Sequence, residues 1–263
     1  MENLKDKRLF LLDMDGTIYI DDLLFDHSLE FLSYIKSISG KYMFLTNNSS
    51  KSVADYIDKL TKMGIEVDQS NFMTSSQATA VYLQGLYTSE KIYVLGTQSL
   101  KAELKSSGLN VVDKYHEDIE VLLVGYDTEL AYFKLEDACK LLTKEIAYYA
   151  TNPDWVCPVS YGYVPDCGSF CQMLEIATGK NPIFIGKPEP TMVDLAVQSS
   201  GFSKEQTLMI GDRIYTDIAS GKNAGVATCL VLSGETKRED VAKNEIKPDY
   251  IFADIGKLLS RMK

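Results

Sequence analysis

Two carboxylates, Asp13 and Asp15, lie at the end of an apolar run of strand length, and Gly16 follows them. Residues two apart share one face of an extended segment, so both side chains could converge on one cation or one phosphate group. Adjacent carboxylates at a buried sheet edge need a neutralising partner, which implies a bound divalent metal. The alternative is a solvated turn, because Asp-Gly is also a common hairpin signal.

The elements that must position these acids follow an alternating pattern. Apolar runs of strand length alternate with amphipathic helices, which predicts parallel β-α-β units and a doubly wound α/β sheet covered on both faces. In such sheets, ligands bind beyond the carboxyl ends of the strands. Further polar residues fall at predicted strand ends of this kind: Thr46 with Asn47, Lys187, and Asp212 with Asp217.

Each of these residues also has an ordinary interpretation when it is taken alone. Thr46 could be a helix cap or a turn residue, and Lys187 could be a solvated surface cation. Asp212 could lie in a simple turn, and Asp217 could be an exposed helix residue. Chance would seldom place acids, a hydroxyl and a lysine together at the ends of separate apolar strands, so the joint pattern favours a functional site.

The order of the elements predicts two domains. The opening pattern returns near the end of the chain, so residues 1–79 and 181–263 are predicted to form the core, with 80–180 inserted as a smaller α/β domain. Within the insertion, the segment 151–165 contains prolines, glycine and aromatic residues and is predicted to be a loop. Asp26 is predicted to cap a helix that extends to about residue 39.

Composition limits the class of partner. The chain has 263 residues, 45% of them hydrophobic, and a net charge of -10, which argues against nucleic acid or an anionic membrane as the main partner. A phosphorylated substrate is still compatible if metal, lysine and backbone N–H groups supply local positive potential. The five cysteines lack metal-pair spacing, and no apolar segment fits a signal peptide or a membrane span. We therefore expect a cytoplasmic protein with reduced thiols.

The ordered set of motifs resembles the haloacid dehalogenase superfamily of phosphohydrolases. The matching residues are Asp13-Met14-Asp15-Gly16-Thr17, Thr46-Asn47-Asn48, Gly186-Lys187-Pro188, and Gly211-Asp212-Arg213 with Asp217. The insertion resembles the α/β cap of the p-nitrophenylphosphatase and NagD-like branch, on the residues Ala150-Thr151-Asn152-Pro153-Asp154 and Pro165-Asp166-Cys167-Gly168-Ser169. The resemblance implies a Rossmann-like core with an inserted cap domain for substrate specificity.

The resemblance also implies a mechanism. Asp13 would attack phosphorus and form an aspartyl-phosphate, while Asp15 would serve as general acid and then general base. Mg²⁺ would be held by Asp13, by the backbone carbonyl of Asp15 and by Asp212, with Asp217 orienting a metal-bound water or Arg213.

The transferred phosphoryl group has its own implied binding residues. Its oxygens would be held by Thr46, Lys187 and the N–H of Asn47. The predicted function is therefore Mg²⁺-dependent hydrolysis of small phosphomonoesters such as a sugar phosphate, a nucleotide or an aryl phosphate.

Three alternatives stay open at this point. A phosphotransferase or mutase would use the same chemistry at Asp13 with another acceptor. A phosphoacceptor similar to a receiver domain, or a module that only binds metal and phosphate, would lack turnover, although a receiver domain is about half this length. Dehalogenation is disfavoured, because Asp15 supplies the acid-base group that phosphate ester chemistry needs.

The sequence leaves several questions about function open. It is compatible with more than one natural substrate among small phosphomonoesters, and with a homodimer through an exposed cap face. The roles of four residues in the predicted cap loop also stay open: Trp155, Tyr161, Tyr163 and Asp166.

Overall fold

The computed structural model describes residues 3–159 and 161–263. These residues form two compact units. The first unit comprises the chain up to Thr46, Val53–Met73 and Lys187–Lys263, and the second comprises Asn47–Ser52 and Thr74–Gly186. The inserted segment of the second unit thus begins at Thr74 and ends at Gly186, where the sequence placed its bounds at 80 and 180.

The regular elements alternate along the chain. The strands are β1 (Leu9–Leu12), β2 (Tyr19–Ile20), β3 (Leu23–Leu24), β4 (Lys41–Thr46), β5 (Phe72–Thr74), β6 (Ile92–Leu95), β7 (Val111–Val112), β8 (Val121–Val124), β9 (Ala147–Ala150), β10 (Val156–Val159), β11 (Gly162–Pro165), β12 (Ile183–Phe184), β13 (Thr207–Gly211), β14 (Ala227–Val231) and β15 (Tyr250–Phe252). The helices are α1 (Ser28–Ser37), α2 (Val53–Lys62), α3 (Ser75–Gln84), α4 (Gln98–Ser106), α5 (Tyr132–Leu142), α6 (Cys167–Thr178), α7 (Thr191–Ser200), α8 (Ala219–Ala224), α9 (Arg238–Lys243) and α10 (Ile255–Met262).

The sheet of the first unit has the strand order β15-β14-β13-β1-β4-β5. Strand β1 lies parallel to both of its neighbours, β13 and β4. From β1 the chain adds β4 and β5 on one side, and later adds β13, β14 and β15 on the other. The strand order therefore reverses between β1 and β13, and in a doubly wound sheet this is where a crevice opens at the carboxyl ends.

Helices cover both faces of this sheet. Alternate residues of β1 point to opposite faces, and Phe10 and Leu12 share one buried cluster with residues of α1, α2 and α10. Helix α7 contacts β1 and β4 and also packs against α8. The predicted doubly wound α/β fold is confirmed.

The second unit has a five-stranded parallel sheet of its own, in the order β12-β9-β8-β6-β7. Its buried cluster joins residues of β6, β8 and β9 to residues of α5 and α6. Strand β12, which leads towards Lys187, pairs with β9 in this second sheet.

Two local predictions were wrong. The segment 151–165 is not all loop, because β10 and β11 pair as an antiparallel hairpin within it. Asp26 does not cap α1: the N-cap position is His27, in a left-handed conformation with φ of 67°, and its ring nitrogen lies 3.1 Å from Glu30. The helix therefore begins two residues after the predicted cap.

Two further expectations concern the thiols and the membrane. All five cysteines are free thiols, as predicted. Within residues 3–159 and 161–263, every helix is too short or too polar to cross a bilayer.

The packing of β1 predicts the effect of a core truncation. Phe10 is fully buried, and its ring meets Phe31 of α1 edge to face at 5.9 Å. We expect Phe10→Ala to lower the free energy of unfolding by about 3–5 kcal/mol, because it leaves a cavity beneath the strand that carries Asp13. Guanidinium titration followed by circular dichroism measures this loss. Leu23→Ala is the control, since Leu23 is 73% exposed and its truncation should change stability by less than about 0.5 kcal/mol.

Candidate active site

The loop after β1 turns sharply and separates the two acids of the first motif. The N–H of Asp13 still donates to the carbonyl of Ile210 on β13, at 2.9 Å. The chain then turns at Gly16, where φ is +84°, and the N–H of Gly16 donates to the carbonyl of Tyr19. A side chain would be strained at that φ, so glycine allows the turn. Asp13 is half-buried as a result, whereas Asp15 is exposed.

Lys187 is the centre of the site. Its ammonium group lies 2.7 Å from Oδ1 of Asp13 and 2.7 Å from Oδ1 of Asp217, and it donates to the carbonyl of Leu45 at 3.1 Å. The side chain of Lys187 is only 3% exposed. Burial alone would lower the pKa of Lys187, but the two carboxylates outweigh it and hold that pKa above its usual range. The lysine is therefore a buried, permanently charged group that orients both acids.

Asp217 reaches Lys187 from a distorted helical turn. Residues Ile214–Ile218 form a π-helical turn directly after the loop that follows β13. One carboxylate oxygen of Asp217 accepts from Lys187 and the other accepts from the N–H of Arg213 at 3.1 Å. A Cβ atom on Gly211 would lie 2.3 Å from the Asp217 side chain, so glycine makes this approach possible. Both oxygens of Asp217 thus have donors within the protein.

Asp212 has a different environment. Its Oδ2 accepts from the N–H of Glu235 at 2.7 Å. Among the described residues, its Oδ1 is buried with no hydrogen-bond partner. Added Cβ atoms on Gly16 and Gly234 would lie 2.5 Å and 2.0 Å from Oδ2, so backbone approaches this carboxylate from two sides.

The carboxylates of Asp13, Asp212 and Asp217 repel one another because they carry like charges in a largely buried site, where water screens them poorly. Burial raises the pKa of Asp13 well above its usual range, and the charges of Asp217 and Asp212 add to this, while Lys187 opposes it. Burial, followed by the charge of Asp217, raises the pKa of Asp212 to about 6. The positive charges of Lys187 and of Arg213, which also opposes the rise in the pKa of Asp212, do not offset three carboxylates. The site therefore has an excess of negative charge.

These residues fit a divalent cation. Asp13, Asp212 and Asp217 each offer a carboxylate oxygen, and the three oxygens lie within 4.8 Å of one another. The buried Oδ1 of Asp212, which has no hydrogen-bond partner among the described residues, is suited to bind a cation. Oxygen donors without histidine or thiolate suit a hard cation such as Mg²⁺.

Asp15 and Thr46, which the sequence also predicted for the site, lie in the first unit at the ends of their strands. Asp15 follows β1, and the hydroxyl of Tyr19 lies 3.5 Å from its Oδ2. Burial and the charge of Asp15 raise the pKa of Tyr19, so that hydroxyl is protonated and can donate. Thr46 is the last residue of β4 and follows Leu45, whose carbonyl binds Lys187.

Asn47 belongs to the second unit, where its contacts are extensive. Its side-chain amide donates to Asp154 at 3.1 Å. Its carbonyl oxygen accepts from the Asn152 amide at 2.8 Å and from the Ser75 hydroxyl at 2.7 Å. These bonds hold the backbone of Asn47 in a fixed orientation.

The cap-loop residues have separate places in the second unit. Asp166 is the N-cap of α6, and its carboxylate accepts from the N–H of Cys167. Tyr163 lies on β11, whereas Trp155 precedes β10 and Tyr161 lies in the turn region of the hairpin; all three rings are largely exposed. The carboxylate of Asp166 thus has a structural role at a helix terminus.

The sequence did not single out the segment 233–236, which follows β14. Its N–H groups reach Asp212: Glu235 donates to the carboxylate and Thr236 to the backbone carbonyl at 3.3 Å. The signal was available, because this segment follows the carboxyl end of a predicted strand, as the other site segments do. It was missed because the contacting groups are backbone N–H groups, which no residue type identifies.

The chain matches two protein-family models, one in its first half and one near its end. Residues 10–110 match the model of haloacid dehalogenase-like hydrolases, and residues 184–258 match a second model described as HAD-hydrolase-like.

Individual proteins of known structure or activity are similar to this chain over nearly its full length. A 4-nitrophenylphosphatase from Thermotoga maritima is 42% identical, and its crystal structure matches with a TM-score of 0.94 over 99% of each chain. An acid sugar phosphatase from Staphylococcus haemolyticus is 32% identical over 260 residues, which cover 99% of this chain and 98% of the relative. A glycerol phosphate phosphatase from Mycobacterium tuberculosis, solved in complex with magnesium, is 27% identical with a TM-score of 0.91 over 98% of this chain and 79% of that one.

The raised pKa of Asp212 predicts how the metal-free protein responds to pH. Its pKa is about 6 in the folded state and about 3.9 in an unfolded chain. Between these values the folded state binds more protons, so the free energy of unfolding falls as pH rises, and the loss is complete above about pH 6. We expect Asp212→Asn to lose the part of this slope that Asp212 contributes, and to be more stable than wild type at pH 8 by roughly 1–3 kcal/mol.

Urea unfolding between pH 4 and pH 8 in EDTA measures this difference. Asp58→Asn is the matched control, because Asp58 is an exposed aspartate on α2, and its pH dependence should parallel that of wild type. The prediction is contradicted if Asp212→Asn also runs parallel to wild type or is less stable at pH 8.

Proposed function

We propose that this chain hydrolyses small phosphomonoesters through an aspartyl-phosphate on Asp13, with Mg²⁺ as cofactor. The chain belongs to the haloacid dehalogenase-like hydrolase family and is a phosphatase. The similarities confirm the predicted family, its p-nitrophenylphosphatase and NagD-like branch, and the predicted phosphatase class. The observation that carries the proposed mechanism is the cluster of Asp13, Asp212 and Asp217 around Lys187.

Asp13 and Asp15 share the chemical work in this proposal. A carboxylate oxygen of Asp13 attacks phosphorus, the ester P–O bond breaks, and the leaving alkoxide takes a proton from Asp15. Asp15 then takes a proton from a water that attacks the aspartyl-phosphate, which releases phosphate and restores Asp13. The exposure of Asp15 supports this role, since the group must reach both the leaving oxygen and the incoming water.

Lys187, Thr46 and Asn47 hold the transferred group. The ammonium group of Lys187, 2.7 Å from Asp13, opposes the effect of burial on the pKa of Asp13 and so favours its ionised form. It also adds positive charge for the phosphoryl oxygens. The Thr46 hydroxyl and the Asn47 N–H donate to the same oxygens. Asp217 orients Lys187 and the backbone of Arg213, which fits a supporting position because both of its oxygens accept hydrogen bonds.

Mg²⁺ is proposed to bind to Asp13, to the backbone carbonyl of Asp15 and to Asp212. When bound, it supplies positive charge that offsets the phosphate oxygens and the clustered carboxylates. The buried Oδ1 of Asp212 supports its assignment as a ligand.

The second unit is proposed to act as the cap domain that selects substrates. Its predicted range was 80–180, and the structure has Thr74–Gly186 in this unit. The relatives include an acid sugar phosphatase, a glycerol phosphate phosphatase and a 4-nitrophenylphosphatase. We therefore propose sugar phosphates, glycerol phosphate and aryl phosphates as the substrates to test.

The proposed nucleophile predicts different defects for the two acids of the first motif. We expect Asp13→Asn to abolish phosphate release, because no carboxylate is left to form the intermediate. Asp15→Asn should slow release by about 10²- to 10⁴-fold, the usual contribution of a general acid-base group. Rapid quenching with a ³²P-labelled ester measures both release and label on the protein, which should accumulate in Asp15→Asn.

Asp58→Asn controls for the loss of one aspartate and should retain wild-type turnover. A wild-type protein that keeps its label on Asp13 without releasing phosphate would instead be a phosphoacceptor. Label that passes to an added alcohol would indicate a phosphotransferase or a mutase.

Metal dependence and substrate class are tested together. We expect sugar phosphates, glycerol phosphate and p-nitrophenyl phosphate to release phosphate in Mg²⁺, and EDTA to remove the activity until Mg²⁺ is restored. Malachite-green assays across this panel measure the release. Equal rates in Mg²⁺ and in EDTA would contradict the proposed cofactor.

A further inference from the structure

We infer that Glu235, anchored by Arg213 and Tyr215, is a positioning residue for Asp212 and so determines how tightly this protein binds Mg²⁺. The inference rests on the proposed Mg²⁺ role of Asp212. It assigns a function to the segment 233–236, here called the 233–236 loop, which neither the sequence motifs nor the proposed chemistry uses.

The 233–236 loop holds Asp212 through its backbone. The N–H of Glu235 donates to Oδ2 of the carboxylate at 2.7 Å, and the N–H of Thr236 donates to the carbonyl of Asp212 at 3.3 Å. Gly234 lies against the same carboxylate with no room for a Cβ atom. Because Oδ2 is engaged in this way, the buried Oδ1 is the oxygen left for a cation.

The loop itself needs anchors, since a backbone N–H positions a ligand only as well as its own segment is held. At one end, the Ser233 hydroxyl donates to the carbonyl of Gly16 at 2.7 Å, which ties the loop to the turn after β1. At the other end, the Glu235 side chain is held by two residues. Arg213 Nε lies 3.0 Å from its Oε2, and the Tyr215 hydroxyl donates to its Oε1 at 2.8 Å.

The two anchors of the Glu235 side chain, Arg213 and Tyr215, follow Asp212 closely in the chain. Arg213 also donates its backbone N–H to Asp217, so it links the loop to the second acid of the cluster. Glu235 therefore holds Asp212 twice, through its own N–H and through a side chain fixed to the neighbours of Asp212. Hydrogen bonds that orient a metal ligand commonly change metal affinity by about 10- to 100-fold when they are removed.

The charge of Glu235 does not explain the arrangement by itself. Its carboxylate is paired with the guanidinium of Arg213, and its side chain is 48% exposed, so its direct pull on a cation is offset and screened. A positional role and a charge role therefore make different predictions for Tyr215→Phe. That change removes a hydrogen bond and leaves every charge in place.

Isothermal titration calorimetry of Mg²⁺ into the metal-free full chain, without substrate, tests the inference. We expect Glu235→Ala to raise the Mg²⁺ dissociation constant about 10-fold or more, and Tyr215→Phe to raise it about threefold. Mg²⁺ activation of phosphate release gives a second readout. Half-maximal activity should need correspondingly more Mg²⁺, while kcat at saturating Mg²⁺ stays within about twofold of wild type.

Glu239→Gln is the matched control for charge. Glu239 is an exposed acid in the first turn of α9, four residues beyond Glu235, and its neutralisation removes the same charge from the helix that follows the 233–236 loop. We expect it to bind Mg²⁺ as wild type does. Circular dichroism melting in EDTA checks that each variant is folded, and Tyr215→Phe serves as the mild variant if Glu235→Ala unfolds.

The outcomes separate this inference from the proposed function. If wild type binds Mg²⁺ and both variants bind it equally well, the inference is overturned and the proposed cofactor stands. If Glu235→Ala weakens binding only as much as Glu239→Gln does, charge rather than position is responsible, and the inference is again overturned. If wild type binds no Mg²⁺, the proposed cofactor and the inference fail together.

Discussion

The ammonium group of Lys187, shared between Asp13 and Asp217, is the interaction on which the rest of the site depends. A cation between two closely spaced carboxylates favours their ionised forms, which burial and mutual repulsion oppose. The lysine reaches both at 2.7 Å and is further tied to the β4 strand through the carbonyl of Leu45. It therefore joins three segments that are far apart in the chain.

The topology of the sheet makes this gathering possible. Asp13 follows β1 and Asp212 follows β13, and these neighbouring strands lie where the strand order reverses. The connections from β1 and β13 therefore lead away in opposite directions and leave a crevice at their carboxyl ends. The stability lost by crowding three acids there is a common cost of a functional site.

Strong local patterns account for what the sequence predicted well. The apolar runs before Asp13 and Asp212 fall within strands of the core sheet, and Lys187 lies between two predicted acids, Asp13 and Asp217. Alternation of strands and helices was enough for the doubly wound fold, because helices that connect parallel strands cover the sheet on both faces. The proposed roles of the individual site residues, the homodimer and the cytoplasmic location remain predictions.

The failures have physical reasons as well. The hairpin of β10 and β11 was missed because its prolines and glycine resemble loop composition, and pairing between two short strands decides the conformation there. The cap of α1 was misplaced because His27 adopts a left-handed conformation, which is uncommon for any residue other than glycine and which the capping pattern of the sequence does not reveal. The contact of Glu235 with Asp212 was missed because a backbone N–H makes it, and every residue except proline has that group.

The confinement of Asp212 between Gly16 and Gly234 has a consequence for the entropy of ligand binding. A carboxylate in close contact with the backbone at both glycines has little rotational freedom. The entropy lost in fixing this side chain is therefore part of the free energy of folding. An incoming cation does not have to order this side chain, so that part of the entropic penalty is absent from its binding equilibrium. The two glycines, whose lack of a side chain lets the backbone come this close, thereby hold the proposed ligand in place before a cation binds.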